Sequence, residues 1–284
     1  MFGLPPPRVS LMVTSLDLFD ISDRTAIVTG GAGFLGEQFC RALAGAGAQV
    51  VVADQDVAKA KTIALSIEAR EGKALAVEVD VRQMESVRAM VQKTQETFGQ
   101  LDILVNSAAL DPKFDPEHAG KHSNAFEDYP LDAWNEALAV NLTGPMLCAQ
   151  VAAEAMRRHE NGVIINVCSI YGLVGPDQRL HQREDQPAQY KPVTYTVTKA
   201  GVLGLTKYLA TYYGEKGIRV NALTPGGIFN DHADDFVKAY SARAVLGRMA
   251  EKEEMNGALL FLASDASRYM TGANLIVDGG WTAW

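Results

Sequence analysis

Thr25-Ala26-Ile27-Val28-Thr29-Gly30-Gly31-Ala32-Gly33-Phe34-Leu35-Gly36 carries a short β-branched run straight into a cluster of glycines. An apolar helical pattern follows through Phe39, Leu43 and Ala46. A strand, a glycine turn and a helix in that order bring backbone N–H groups and a helix N-terminus to a diphosphate. The glycines permit the tight turn and the close approach of the ligand. Many strand-to-helix turns carry glycines, so the confirming feature is a second strand that ends in an acid. Gln49-Val50-Val51-Val52-Ala53-Asp54 provides it, with Asp54 eighteen residues after Gly36. A carboxylate there accepts both adenosine ribose hydroxyls and repels a 2′-phosphate, which favours NAD over NADP. No Arg or Lys stands in the turn or at positions 55–58 to offset it.

Outward from this unit the alternation continues. Lys73 to Val79 is a predicted strand ending at Asp80-Val81, and Met84 to Phe98 a predicted amphipathic helix. Leu101 to Val105 runs as a buried strand into Asn106-Ser107-Ala108-Ala109, whose small residues leave room for a flat ring. Leu131 to Arg158 is a long helical pattern interrupted by Asn141 and Gly144-Pro145, which predicts a kink or a backbone group turned towards a site. Gly162 to Val167 ends at Cys168-Ser169, and Arg219 to Leu223 enters the turn Thr224-Pro225-Gly226-Gly227-Ile228. A last helix over about Lys252 to Ala263 and a strand over Asn274 to Val277 precede Asp278-Gly279-Gly280. Strands alternating with helices predict an α/β fold, a doubly wound parallel sheet of about seven strands with helices on both faces. Ligands bind outside the carboxyl ends of such strands, where Gly30, Asp54, Asn106, Ser169 and Pro225 all fall.

Tyr195-Thr196-Val197-Thr198-Lys199 opens a further apolar-periodic stretch reaching about Gly217. Tyr195 and Lys199 are four residues apart and share one helix face. A phenol of ordinary pKa near ~10 is a poor base at neutral pH, and an adjacent ammonium favours its phenolate. A lowering of about three units is worth roughly 4 kcal/mol. Such a pair alone is commonplace on helices; the glycine turn and the ribose-binding acid give it weight. Together they point to a nicotinamide enzyme, in which the cofactor carries the hydride and the protein directs the proton. In this reading Tyr195 is the general acid/base for an alcohol/ketone pair. Lys199 lowers its pKa and holds the nicotinamide ribose, Ser169 positions the substrate oxygen, and Asn141 holds a water that links Lys199 to solvent.

Composition bounds the alternatives. With 284 residues, 48% apolar and 21% charged, the chain is of ordinary globular make-up. A formal charge of -8 gives no support to nucleic acid or an anionic membrane as partner, and no apolar run is long enough to span a bilayer. Residues 1–18, with Pro5-Pro6-Pro7, read as a flexible extension without a leader's apolar core, and residues 19–284 as one catalytic domain. Cys40, Cys148 and Cys168 lack metal-ligand spacing, so no metal is expected and the thiols read as reduced core residues of a cytoplasmic protein.

From about Phe19 to Gly280 the chain resembles the short-chain dehydrogenase/reductase family in its compact form of about 250 residues. The resemblance rests on Asn106-Ser107-Ala108-Ala109, Asn141, Ser169, Tyr195-x-x-x-Lys199, Pro225-Gly226, and Thr271-Gly272 through Val277-Asp278-Gly279-Gly280. It implies a single-domain Rossmann fold and a catalytic tetrad of Asn141, Ser169, Tyr195 and Lys199. It further implies a dinucleotide held by Gly30, Gly33, Phe34, Leu35, Gly36 and Asp54, with Asp80 and Val81 flanking the adenine. Asn106 and Ala108 would line the cofactor site, and Pro225, Gly226 and Ile228 would cover the nicotinamide. A homotetramer or homodimer, paired through the helices carrying Asn141 and Tyr195, is also implied.

Three departures from the family pattern matter. The turn at residues 29–36 is similar to that of the longer epimerase and dehydratase branch, because Phe34 stands where the compact form has glycine. Only 85 residues follow Lys199, which fits the compact form. Asn230 replaces a common Thr after the Pro-Gly turn. Ser169 and Tyr195 are 26 residues apart, and the polar residues around 177–185 are expected to overhang the site, with a second insertion, 111–128, beside it. A polar pocket for a sugar, polyol or sugar phosphate, gripped by Arg179 or Arg183, competes with a reading of both insertions as solvated loops. The remaining alternatives are a 3-oxoacyl reductase and an NAD(H)-binding regulator without turnover.

Overall fold

The computed structural model describes residues 14–111, 124–182 and 189–284. Arg183 and residues 1–13 of the expected extension lie outside them, as do residues 112–123 of the insertion expected over 111–128. Seven strands form one parallel sheet: β1 (Thr25–Thr29), β2 (Gln49–Asp54), β3 (Lys73–Glu78), β4 (Ile103–Asn106), β5 (Gly162–Val167), β6 (Ile218–Pro225) and β7 (Asn274–Val277). Their spatial order is β3-β2-β1-β4-β5-β6-β7. The order reverses between β1 and β4, where Thr29 pairs Asn106 and the strand ends open a crevice.

Parallel strands covered on both faces read as continuous apolar runs, and β1, β4 and β5 are buried along their whole lengths. One face packs on α1 (Phe34–Gly45), α2 (Val57–Glu68) and α8 (Asn256–Ala263) through Phe39, Leu43, Ile63, Leu259 and Leu262. The other packs on α3 (Met84–Phe98), α5 (Gly144–Met156) and α6 (Val193–Tyr213) through Val87, Met90, Ala152, Met156 and Leu209. Burying each of the larger side chains contributes roughly 1.5–3 kcal/mol before the cost of ordering it.

The helical pattern expected over Leu131 to Arg158 divides into α4 (Leu131–Leu138), a π-helical turn (Ala139–Thr143) and α5. Pro145 falls in the first turn of α5, where a missing N–H costs nothing. The final helix is likewise in two parts, a 3-10 turn over Lys252–Met255 and then α8. An element not read from the sequence, α7 (Asp234–Ser241), lies between β6 and α8 in the chain. All three cysteines are buried and unpaired. Their thiols are pushed up by burial, that of Cys148 to about 12.

Polar ties cross the core. Asn106 Nδ2 donates to Asn166 Oδ1 at 2.9 Å, and Asn166 Nδ2 to Thr206 Oγ1 at 2.9 Å, joining β4, β5 and α6. Arg219 on β6 donates to the carbonyls of Leu262, Ser264 and Met270 at 3.0–3.4 Å, bracing the end of α8 and the approach to β7.

Candidate active site at the carboxyl ends of the strands

A cavity of ≈ 930 Å³ opens at the carboxyl ends of β1, β5 and β6. Its floor at β1 is the glycine turn. Gly30 has φ 64°, and a Cβ there would lie 2.6 Å from the Ala108 Cα. A Cβ on Gly36 would collide with the Gly30 carbonyl. Gly33 N donates to the same carbonyl at 2.9 Å and marks the N-terminus of α1. The turn is therefore folded so closely on itself and on Ala108 that only glycine fits at positions 30 and 36, and a bare backbone beside a helix N-terminus fits a diphosphate. Gly30, Gly33, Phe34, Leu35 and Gly36 all line the cavity.

Asp54 ends β2 beside this turn. Its Oδ2 accepts from Ala32 N at 2.9 Å and its Oδ1 from Asp56 N at 3.0 Å, so the carboxylate is fixed against the glycine backbone. Asp80 and Val81 lie beyond the end of β3, outside the cavity wall. Arg82 grips Asp80 through two bonds of 2.9 Å and holds its carboxyl below the usual range. Asn106 is buried under the wall, with its amide turned to Asn166 and the Pro145 carbonyl. Ala108 backs Gly30, while Ser107 and Ala109 face the cavity.

On the other side Ser169, Tyr195 and Lys199 come together, with Pro225, Gly226 and Ile228 opposite. Ser169 begins a 3-10 turn after β5, and its Oγ accepts from Tyr171 N at 3.2 Å. Tyr195 and Lys199 project from the first turns of α6. Lys199 is 5% exposed; its Nζ donates to the Val167 carbonyl at 2.9 Å and stands 5.7 Å from the Tyr195 ring centroid. Burial of the phenol raises the Tyr195 pKa above its ordinary value, the charge of Asp111 adds to the rise, and a hydrogen bond with Ser169 opposes it. Burial likewise pushes the Lys199 ammonium down. Desolvation thus dominates in the protein alone, contrary to the lowering expected for Tyr195.

Asn141 lies in the π turn, 2% exposed. Its Oδ1 accepts from Leu110 N at 2.6 Å, and its Nδ2 donates to Leu110 O at 2.9 Å and to Thr198 Oγ1 at 3.4 Å. The side chain pins the loop after β4 to α6, one position from Lys199.

The described residues of the insertion before α6 border the cavity. Arg179, Leu180 and His181 line it from a 3-10 turn over Gln178–His181. The Arg179 guanidinium is held by Asp177 through two bonds of 2.8 Å, and Asp177 also pairs with Arg243. His181 is pushed down to about 4, first by burial and then by the charge of Lys191. Lys191 is the neighbour that sequence reasoning did not place: its Nζ is 4.2 Å from the Tyr195 ring centroid and 2.5 Å from Asp111 Oδ1. The remaining wall is aromatic. Tyr171 meets Tyr195 edge-on at 6.5 Å, and α7 contributes Phe236 and Tyr240. Trp281 stacks on Tyr240 at 4.2 Å, while the Tyr240 hydroxyl accepts from Gly227 N. Among the described residues there is no cluster of potential metal ligands, and no helix is long and apolar enough to cross a membrane.

A family model described as enoyl-(acyl carrier protein) reductase matches residues 31–282. The cis-4-hydroxycyclohexanecarboxylate dehydrogenase of Sinomonas cyclohexanicum is 36% identical over 272 residues, covering 92% of this chain and 98% of that protein. The L-rhamnose 1-dehydrogenase (NAD(P)(+)) of Azotobacter vinelandii is 36% identical over 269 residues, covering 91% and 96%. A crystal structure of a short-chain type dehydrogenase/reductase from Mycobacterium marinum superposes with a TM-score of 0.82 at 34% identity, covering 95% of this chain and 99% of that one.

Proposed function

The chain belongs to the short-chain dehydrogenase/reductase family, oxidoreductases of alcohols and carbonyls, and from that premise we propose that it oxidises a ring-borne secondary alcohol to the ketone with NAD⁺, reversibly. The observation that carries the reading is the convergence of Ser169, Tyr195 and Lys199 with the glycine turn in one cavity. The dinucleotide fits the bare backbone of the turn, whose tight fold requires glycine at positions 30 and 36 and leaves both in the cavity lining. Gly30, Gly33 and the N-terminus of α1 would hold the diphosphate, and Pro225, Gly226 and Ile228 the nicotinamide end. When bound, that group supplies the hydride acceptor.

The residues of the chain direct the proton. Ser169 holds the carbinol oxygen against the Tyr195 phenol, and Tyr195 as phenolate removes its proton. In the reverse direction the same phenol returns it. Lys199, anchored on the Val167 carbonyl, keeps a positive charge beside the phenol, whose ionisation it favours against the cost of burial. Asn141 holds the Leu110 loop against α6 and so fixes the wall beside Lys199.

Asp54 supports NAD over NADP. Its carboxylate is braced at the turn that would receive the adenosine ribose, where a 2′-phosphate would meet a negative charge. The rhamnose relative is named for both cofactors, so the preference belongs to this chain's own residues. The aromatic wall of Tyr171, Tyr195, Phe236 and Tyr240 suits the flat face of a carbocycle or a sugar ring. A phosphate gripped by Arg179 has little support, since Asp177 already takes that guanidinium. Unpaired buried thiols fit a cytoplasmic enzyme, and the exposed, stacked Tyr208 and Tyr212 on α6 fit burial against further copies in a dimer or tetramer.

Absorbance at 340 nm with NAD⁺ or NADP⁺ and a panel of cyclic secondary alcohols and sugars tests the reading, with Tyr195→Phe alongside. NAD⁺-linked turnover that falls at least ~100-fold in Tyr195→Phe is expected. A variant that turns over at the wild-type rate would sink the assignment of Tyr195.

A further inference from the structure

Three cations line the cavity among the described residues besides histidines: Arg179, Lys191 and Lys199. Two are committed. Lys199 donates to the Val167 carbonyl beneath Tyr195. Arg179 is doubly bonded to Asp177, a carboxylate only 19% exposed that also pairs with Arg243 and so ties the 3-10 turn to the end of α7. Lys191 differs. Its side chain is 12% exposed and its Nζ lies over the Tyr195 ring, yet its counter-ion Asp111, in the segment after β4, is 46% exposed.

We propose that Lys191 is the receptor for a carboxylate on the substrate, and that the Asp111 carboxylate is the internal group this substrate displaces. The inference deepens the proposed alcohol oxidation and rests on Tyr195 as its reacting phenol. A charged group this far from water needs a partner at all times. Exchanging one carboxylate for another keeps the Lys191 ammonium paired, so an anionic substrate enters without leaving a bare charge. A neutral alcohol must leave Asp111 where it is and gains nothing from Lys191. Lys191 is built to stay while Asp111 moves away: Gln178 Oε1 accepts from Lys191 N at 2.8 Å, and Gln178 Nε2 donates to Lys191 O at 3.5 Å. Ammonium and phenol share one ring. The carbinol and the carboxylate of the substrate are therefore about a ring's width apart, a spacing that a cyclic hydroxy acid packed on Tyr171 and Phe236 satisfies.

The test is binding of cyclohexanecarboxylate against its carboxamide by isothermal titration to the NADH-loaded protein, a readout that needs no turnover. Wild type is expected to bind the acid at least tenfold more tightly than the amide. In Lys191→Gln the two affinities should converge, and in Asp111→Asn, which removes the internal competitor, the preference should widen. Equal affinities in wild type, or a preference that survives Lys191→Gln, overturn the proposal. A variant that loses its thermal transition is replaced by Lys191→Arg, which should retain the preference; its loss there with NADH binding intact also counts against it. If no alcohol is oxidised yet the acid preference follows Lys191, the assigned reaction fails while the receptor stands.

Discussion

Tyr195 has to give up a proton before it can take one from an alcohol. Burial and the charge of Asp111 both hold the phenol in its protonated form to higher pH than in water. The sign follows directly. Alcohol oxidation, which uses the phenolate, should still be rising with pH at pH 10, while ketone reduction, which uses the phenol, should stay level up to that pH; kcat/KM profiles in both directions check it. A flat oxidation profile from pH 6 to 10 would exclude proton removal by this group. Gly36 supports a second expectation at the same scale. A methyl group there meets the Gly30 carbonyl, so Gly36→Ala should cost at least ~2 kcal/mol by urea unfolding and weaken NADH binding. The need for glycine at both positions was readable from spacing alone. The inward turn of Asn106 to Asn166 was not, because its partner is sixty residues away on β5.

At the scale of elements, long periodic segments were legible and short ones were not. The interruption at Asn141 announced itself through an Asn, a Gly and a Pro within one apolar pattern, and it became a π turn. Yet the same residues could not reveal that the amide clasps Leu110 on both its N–H and its carbonyl. Asn141→Leu should therefore cost about 1–3 kcal/mol by leaving both Leu110 groups unpaired, with a larger loss in kcat/KM than in NADH affinity. Helix α7 has eight residues, too few for periodicity to speak, although Phe236 and Tyr240 lie one turn apart on it. Tyr240→Phe keeps the stack on Trp281 but removes the acceptor for Gly227 N. It should raise KM for the cofactor several-fold with little change in thermal stability; equal KM values would mean the loop is held by packing alone.

For the whole molecule the alternating pattern specified seven parallel strands, since each buried strand is an apolar run and each connection carries a helix. Strand order is also chirality and packing, which no local pattern contains, and the ties that fix the far edge are single residues. Arg219 spans three carbonyls near α8 and β7. Arg219→Met should destabilise the sheet edge by about 3 kcal/mol in chemical unfolding, because hydrogen bonds from a charged donor are lost and the carbonyls are left bare. Both insertions were legible in the sequence, but the pairing between them was not, because Lys191 and Asp111 stand eighty residues apart in the chain.

The three sealed cysteines make the chain its own stopwatch. Cys40 lies behind the glycine turn, Cys168 donates to the Lys199 carbonyl, and Cys148 is in α5 away from both. A thiol reagent reaches each only when its surroundings open, so labelling rates followed by mass spectrometry time three different doors. Loading with NADH should slow the first two relative to the third.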